Sequence, residues 1–200
     1  MIRIRYNWEM EDVKILAIVG MCGSGKSTVI EYLTNKGIPK VYFGGVILKA
    51  MTEAGIEVTP DNERKFREDI REQEGKDFVV KRVVEEVKSL IDAGQKRIVL
   101  DGLYTWTEYK VLKKEFPSEE NMVVAAVVVP KNLRHRRVAD RPVRPLSVQE
   151  VNKRDWTEIE NIEKGGPIAN ADYFIDNSGT IEELHERVQA LLDEINFMKA

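Results

Sequence analysis

The sequence predicts an α/β fold with three layers, α/β/α, around a five-stranded parallel sheet. Two observations carry this. Short, continuously apolar runs alternate with segments of helical periodicity, the pattern of strands buried on both faces and covered by helices. The first such run, Ile15 to Val19, leads directly into GMCGSGKST at Gly20–Thr28, which fits the G-x-x-x-x-G-K-[ST] spacing between a strand and a helix.

Residues 1–12 are mixed and polar and read as a short edge strand or arm. After the first strand, a helix is expected from Gly25 to about Asn35, with Val29, Ile30 and Leu33 facing inward, and Gly37 stops it. A second strand, Lys40 to Phe43, runs into Gly44-Gly45 and a helix from Val46 to about Ala54. Thr59-Pro60 starts the next helical stretch, which divides near Gly75. Beyond that division Val79, Val83, Val87, Leu90 and Ile91 recur at helical intervals, and Gly94 closes the helix.

The third strand is Arg97 to Leu100, closed by Asp101-Gly102. Thr105 and Glu108 form a capping-box pair for a helix to about Phe116, just before Pro117. Val123 to Val129 is the fourth strand, and Lys131 to Val138 is helical until RPVRP breaks it. Ser147 starts a polar helix to about Lys164, ended by Gly165-Gly166-Pro167. Tyr173 to Asp176 is the fifth strand. Thr180 and Glu183 cap a last amphipathic helix carrying Leu184, Val188, Leu191, Leu192 and Ile195.

Two hundred residues suit one domain with a substantial core. A net charge of −3 gives no global reason to expect nucleic-acid binding. A single cysteine, Cys22, excludes an intrachain disulfide. The amino terminus lacks an apolar core of signal-peptide length, and the longest apolar run is far too short to span a bilayer, so a cytoplasmic location without membrane association is expected. Trp8, Trp106 and Trp156 are expected to pack. Oligomeric state is not legible.

The chemistry starts in the glycine-rich loop. Gly20, Gly23 and Gly25 permit backbone conformations that bring N–H groups close to an anion, and Ser24 lies among them. The helix that follows adds its N-terminal dipole. Lys26 is placed to reach the β/γ-phosphates and the Ser27 hydroxyl to ligate Mg²⁺. Asp101 ends a strand, so it projects to the same sheet edge, where a carboxylate can hold Mg²⁺ or accept a proton. Arg134 to Arg144 reads RHRRVADRPVR, five arginines against one acid. That composition suits a flap over phosphates, with Arg137 and Arg141 four apart and Arg154 on the next helix. Arg64, Arg67 and Arg71 share a helix face with interleaved acids. Arg64 reads as part of a surface ion-pair lattice, and Arg67 and Arg71 fit that lattice and an anion site equally. The guanine-reading N-K-x-D pattern occurs only at Asn152, inside an expected helix, which argues against a regulatory GTPase.

Together GMCGSGKST, YFGGVI, NERKFREDIREQEGKDFVVKR, VLDGLYTWTEYKVLKKEF, RDWTEIE and IANADYFIDNSGTIEEL resemble the small P-loop nucleotide kinases, and within them the dephospho-CoA-kinase-like branch. The resemblance runs from Ile15 to Val188. It implies a sheet ordered 2-3-1-4-5 and a single kinase domain over 1–200. In that domain the core would be 13–43, 77–130 and 170–200, the acceptor-binding region 44–76 and the lid 131–165. By motif, Gly20 to Thr28 would bind ATP phosphates, and Asp101 would match the acid after strand three. Gly44, Arg67 and Arg71 would serve the acceptor, Arg137, Arg141 and Arg154 would be the lid cations, and Asn177 and Gly179 would lie near the adenine. Dephospho-CoA kinases carry an aspartate just after strand two, where this chain has Phe43-Gly44-Gly45-Val46. The resemblance therefore implies ATP, Mg²⁺ and a small nucleotide-like acceptor, with dephospho-CoA one candidate. The alternative from another class is an ATP-binding switch or assembly factor, slow in hydrolysis, with a protein or RNA partner recruited by the arginine run.

Overall fold

Leu16 and Ile18 face one side of the first strand and Ile15, Ala17 and Val19 the other, and each set is buried in a different apolar core. That division is what a strand covered on both faces requires. A computed structural model describes residues 12–142 and 145–199, apart from the side chains of Pro60, Arg64, Arg67 and Arg71. The expected amino-terminal arm lies, up to residue 11, outside the described residues, and so do Trp8, Val143 and Arg144.

The strands are β1 (Lys14–Val19), β2 (Lys40–Tyr42), β3 (Arg97–Asp101), β4 (Met122–Val128) and β5 (Tyr173–Asp176). All pair in parallel, in the order β2-β3-β1-β4-β5, as expected. The helices are α1 (Lys26–Asn35), α2 (Phe43–Glu53), α3 (Pro60–Glu74), α4 (Phe78–Asp92), α5 (Trp106–Glu115), α6 (Lys131–Asp140), α7 (Val148–Glu160), α8 (Gly165–Ala169) and α9 (Ile181–Glu194). One face of the sheet packs on α2, α4 and α5, and the other on α1 and α9. Register sets Ile18 beside Asp101, Tyr42 beside Asp101, and Val128 beside Asp176, so the carboxyl ends of all five strands share one edge.

Three expectations are corrected. First, α2 begins at Phe43, so Gly44 and Gly45 lie inside its first turn and no loop precedes it. Burial of Phe43, 2% exposed, draws the helix start back onto the strand end. Second, α7 stops at Glu160, and Gly165-Gly166-Pro167 opens the short α8. Pro167 falls in its first turn, where a missing N–H costs nothing. Third, Trp156 is 64% exposed and does not pack in the core. Trp106 stacks on Tyr109 with ring centroids 4.9 Å apart. Among the described residues no helix is long and apolar enough to cross a membrane.

Candidate phosphate site at the carboxyl edge of the sheet

The loop between β1 and α1 is shaped by glycines at two demanding positions. Gly23 has φ +80° and Gly25 φ +96°, the left-handed region that penalises side chains. A Cβ on Gly23 would lie 2.8 Å from the Arg134 carbonyl oxygen, and one on Gly25 would overlap the Asn177 amide. Three other helices begin with reciprocal side-chain caps: Thr105 with Glu108, Ser147 with Glu150, and Thr180 with Glu183. By contrast, α1 has no side-chain cap and no acid in its first turn. The Thr28 N–H is taken by the Gly25 carbonyl at 3.1 Å, and the positive dipole end of the helix suits an anion. The Ser24 hydroxyl oxygen, buried in the same loop, has no hydrogen-bond partner among the described residues.

Lys26 folds back over this loop, its Nζ donating to the Gly20 carbonyl at 2.8 Å and to that of Met21 at 3.3 Å. Burial, and then the nearby Lys164 ammonium, lower its pKa to about 8, against the opposing pull of Glu158, Cys22 and Asp101. An arriving phosphate favours the charged form, so the pKa rises on binding and, between about 8 and the ordinary 10.5, a proton is taken up. NMR titration of the Lys26 side chain in the free protein is expected to give a midpoint near 8, moved upward by ATP in the absence of metal. A midpoint in the ordinary lysine range, indifferent to ATP, would contradict this environment.

Asp101 ends β3 at the same edge. Its carboxyl is pushed up by burial, against the Lys40 and Lys26 ammonium groups, and Lys40 Nζ lies 3.7 Å from Oδ2. The exposed Ser27 hydroxyl is on the first turn of α1. No three His, Cys, Asp or Glu side chains converge into a cage among the described residues. Mg²⁺ shared with phosphates needs none, because it keeps several waters and takes one or two protein ligands. The donor set of one hydroxyl and one carboxylate at this edge therefore fits a phosphate-bound magnesium.

The arginine run divides by what each guanidinium touches. Arg134 is buried: Nη1 donates to the Cys22 carbonyl at 2.8 Å and to Asp155 Oδ1 at 3.1 Å, and Nη2 to Oδ2 at 2.8 Å. His135 Nε2 is 2.9 Å from the same Oδ2. This cluster fastens α6 to the phosphate loop and to α7. Arg137 Nη1 donates to the Asn177 carbonyl at 2.7 Å and Nη2 to that of Gly179 at 3.4 Å. It thus sits on the β5–α9 connection, the expected adenine position. Asn177 is buried and braces the loop, its Nδ2 donating to the Ser24 carbonyl at 2.8 Å. Arg141 is at the C-cap of α6, and Thr28 lies in the first turn of α1. Gly44 admits the Tyr42 ring, which a Cβ there would approach to 2.5 Å. Arg67 and Arg71 are placed on α3, but their side chains lie outside the described residues.

Arg154, expected from the sequence as a lid cation, belongs to a second charged array whose other members, Glu158 and Lys164, the sequence did not single out. Arg154 Nε donates to Glu158 Oε1 at 3.0 Å, and the buried Lys164 ammonium donates to Oε2 at 2.8 Å while lying 4.6 Å over the Tyr104 ring. Only the four-residue spacing of Arg154 and Glu158 signals it in the sequence.

Residues 16–164 match the family model described as AAA domain. A UPF0200 protein of Thermococcus kodakarensis is 34% identical over 183 residues, covering 90% of this chain and 97% of that protein. Shikimate kinase from Aquifex aeolicus superimposes with a TM-score of 0.53 at 18% identity, over 93% of this chain and 99% of the other. Dephospho-CoA kinase from Campylobacter jejuni does so with 0.52 at 17% identity, over 91% and 97%. At those identities the structural matches establish a shared P-loop kinase fold.

Proposed function

This chain belongs to the AAA-domain family, with UPF0200 proteins among its relatives, and on that premise we propose that it is an ATP-dependent phosphotransferase. It would move the γ-phosphate of Mg-ATP to a small nucleotide-like acceptor. The observation that carries the reading is the convergence at one sheet edge of an uncapped helix N-terminus, Lys26, Asp101 and Arg154. Phosphoryl transfer asks for this set, because it needs positioned cations around spreading negative charge more than covalent chemistry.

In this reading the loop N–H groups from Gly20 to Thr28 cradle the phosphates. The Lys26 ammonium leaves the Gly20 and Met21 carbonyls for the β/γ-phosphate oxygens. Ser27 and Asp101 would hold Mg²⁺, which would supply charge neutralisation to the phosphate oxygens. Arg154 and Arg141 belong to the cations over the transferring group, and Arg137 to the side where the adenine sits, with Asn177 and Gly179. Residues 131–165 serve as the lid and 44–76, with Gly44, Arg67 and Arg71, as the acceptor side.

Dephospho-CoA is one candidate acceptor, from the motif resemblance, although the aspartate that its kinases carry after strand two is absent here. Shikimate kinase shares the same fold, so the fold does not choose the acceptor. A panel decides: Mg-ATP with dephospho-CoA, dTMP, UMP, CMP, AMP or nucleosides, following ADP release. One acceptor is expected to raise turnover at least about tenfold over water, which corresponds to about 1.4 kcal/mol of barrier. If every acceptor stays at the water background while nucleotide-dependent capture of a protein or RNA appears, the switch reading replaces this one.

A further inference from the structure

Beyond Glu160 the chain is polar and could run out into solvent, yet it turns back. Glu163 adopts φ 54°, the left-handed region that a residue with a Cβ rarely occupies. The Lys164 N–H then donates to the Glu158 carbonyl at 3.0 Å. The turn drives the Lys164 side chain inward until it is 2% exposed, while Arg154 across Glu158 stays 46% exposed. Both the backbone conformation and the burial of an ammonium oppose folding. An apolar side chain at position 164 could fasten the turn equally well, so stability alone does not account for a lysine.

Location does account for it. After burial, Lys164 is the largest influence lowering Lys26, which sets its charge close to the phosphate loop. Lys164 also feels Cys22 of that loop, Arg154 lies beyond the shared carboxylate on α7, and the Tyr104 ring after β3 closes the cation in. We propose that Lys164 and Glu158 are a positioning pair for Arg154: Lys164 anchors the carboxylate from the interior, and the carboxylate holds the guanidinium at the mouth of the phosphate site for the terminal phosphate of a bound triphosphate. When Arg154 turns to that phosphate, Glu158 is not left as an unpaired buried charge, because Lys164 remains on it. The proposal rests on the phosphotransfer reading for the nature of the ligand and adds to it the residues that read the terminal phosphate.

The test compares affinities for ADP and for a non-hydrolysable ATP analogue, measured with Mg²⁺ and without acceptor. It therefore stands whether or not any acceptor is found. In Lys164→Met, Glu158 is left to Arg154 alone and holds it back from the ligand. The preference for the triphosphate is expected to fall about tenfold, the scale of one hydrogen bond to a charged group, with ADP affinity within about threefold of wild type. Glu158→Gln releases Arg154, so the preference for the triphosphate is kept within about threefold of wild type. The double variant Glu158→Gln/Lys164→Met removes the restraint together with its anchor and is expected to recover most of the preference. A turn-stapling role alone would change both nucleotides alike and give no recovery. The proposal is overturned if Lys164→Met keeps the wild-type preference with a native melting curve, or if the double variant is no better than Lys164→Met. Glu158→Gln strands the buried Lys164 ammonium, so should it fail to fold, Lys164→Met and the double variant decide, and loss of the preference in the double variant overturns the proposal.

Discussion

Lys26→Ala is expected to lower kcat/KM for phosphoryl transfer by about 10²–10³-fold, or about 3–4 kcal/mol, the scale seen when one preorganised donor to a developing charge is removed. The fold should survive it. Among the described residues the Lys26 ammonium bonds only to the Gly20 and Met21 carbonyls, beside a loop whose shape is fixed by glycine geometry and by Asn177. Its pKa is lowered in the fold to about 8 from 10.5, so the folded state holds the proton less tightly than the unfolded chain. Below about pH 8 the charge thus opposes folding, an opposition relieved as pH rises from about 8 towards 10.5, and alanine removes it altogether. Circular dichroism melts and a coupled ADP-release assay on the same preparation separate the two properties. Wild-type turnover in the folded variant would sink the assignment of Lys26 to the transferring group.

Legibility of this chain follows the range of the interactions. The phosphate loop, the five strands and the Thr105–Glu108 and Thr180–Glu183 capping boxes are written in local spacing, and they stand where the spacing places them. The start of α2 is not local: Phe43 joins the helix because the core under α4 takes its side chain. The division of labour among the arginines is equally non-local. Periodicity places Arg134 and Arg137 on one helix, with Arg141 at its end, without saying which turns inward. That is settled by Cys22, 112 positions away in the sequence from Arg134, and by Asn177, 40 positions from Arg137. Lys164 is the extreme case. In sequence it looks like a polar helix end before glycines, and only the left-handed turn at Glu163 carries it to Glu158.

Asp155→Ala is the substitution expected to cost the most stability, about 3–5 kcal/mol, because it strands the Arg134 guanidinium in a buried site without its carboxylate. For a chain of this size that corresponds to a fall in Tm of about 10 °C. Burial alone would raise the Asp155 carboxyl, but the Arg134 guanidinium and His135 outweigh it and hold the group below its usual value. The folded-state pKa is therefore depressed, so the contribution to stability is full above the unfolded value near 3.8 and is lost as pH falls through the folded one. The gap between wild type and Asp155→Ala should accordingly close in acid. Arg134 also carries the Cys22 carbonyl, so the same substitution should loosen the phosphate loop and weaken ATP binding. Replacing both partners, as Arg134→Met/Asp155→Leu, removes the stranded charge and should recover most of the stability. It should not recover the nucleotide affinity, because no donor remains for the Cys22 carbonyl. Urea unfolding at pH 7 and at a pH well below 3.8, with ATP titrations on the same three proteins, measures each part. A single variant within about 2 °C of wild type would mean that the cluster does not hold α6 and α7 to the loop.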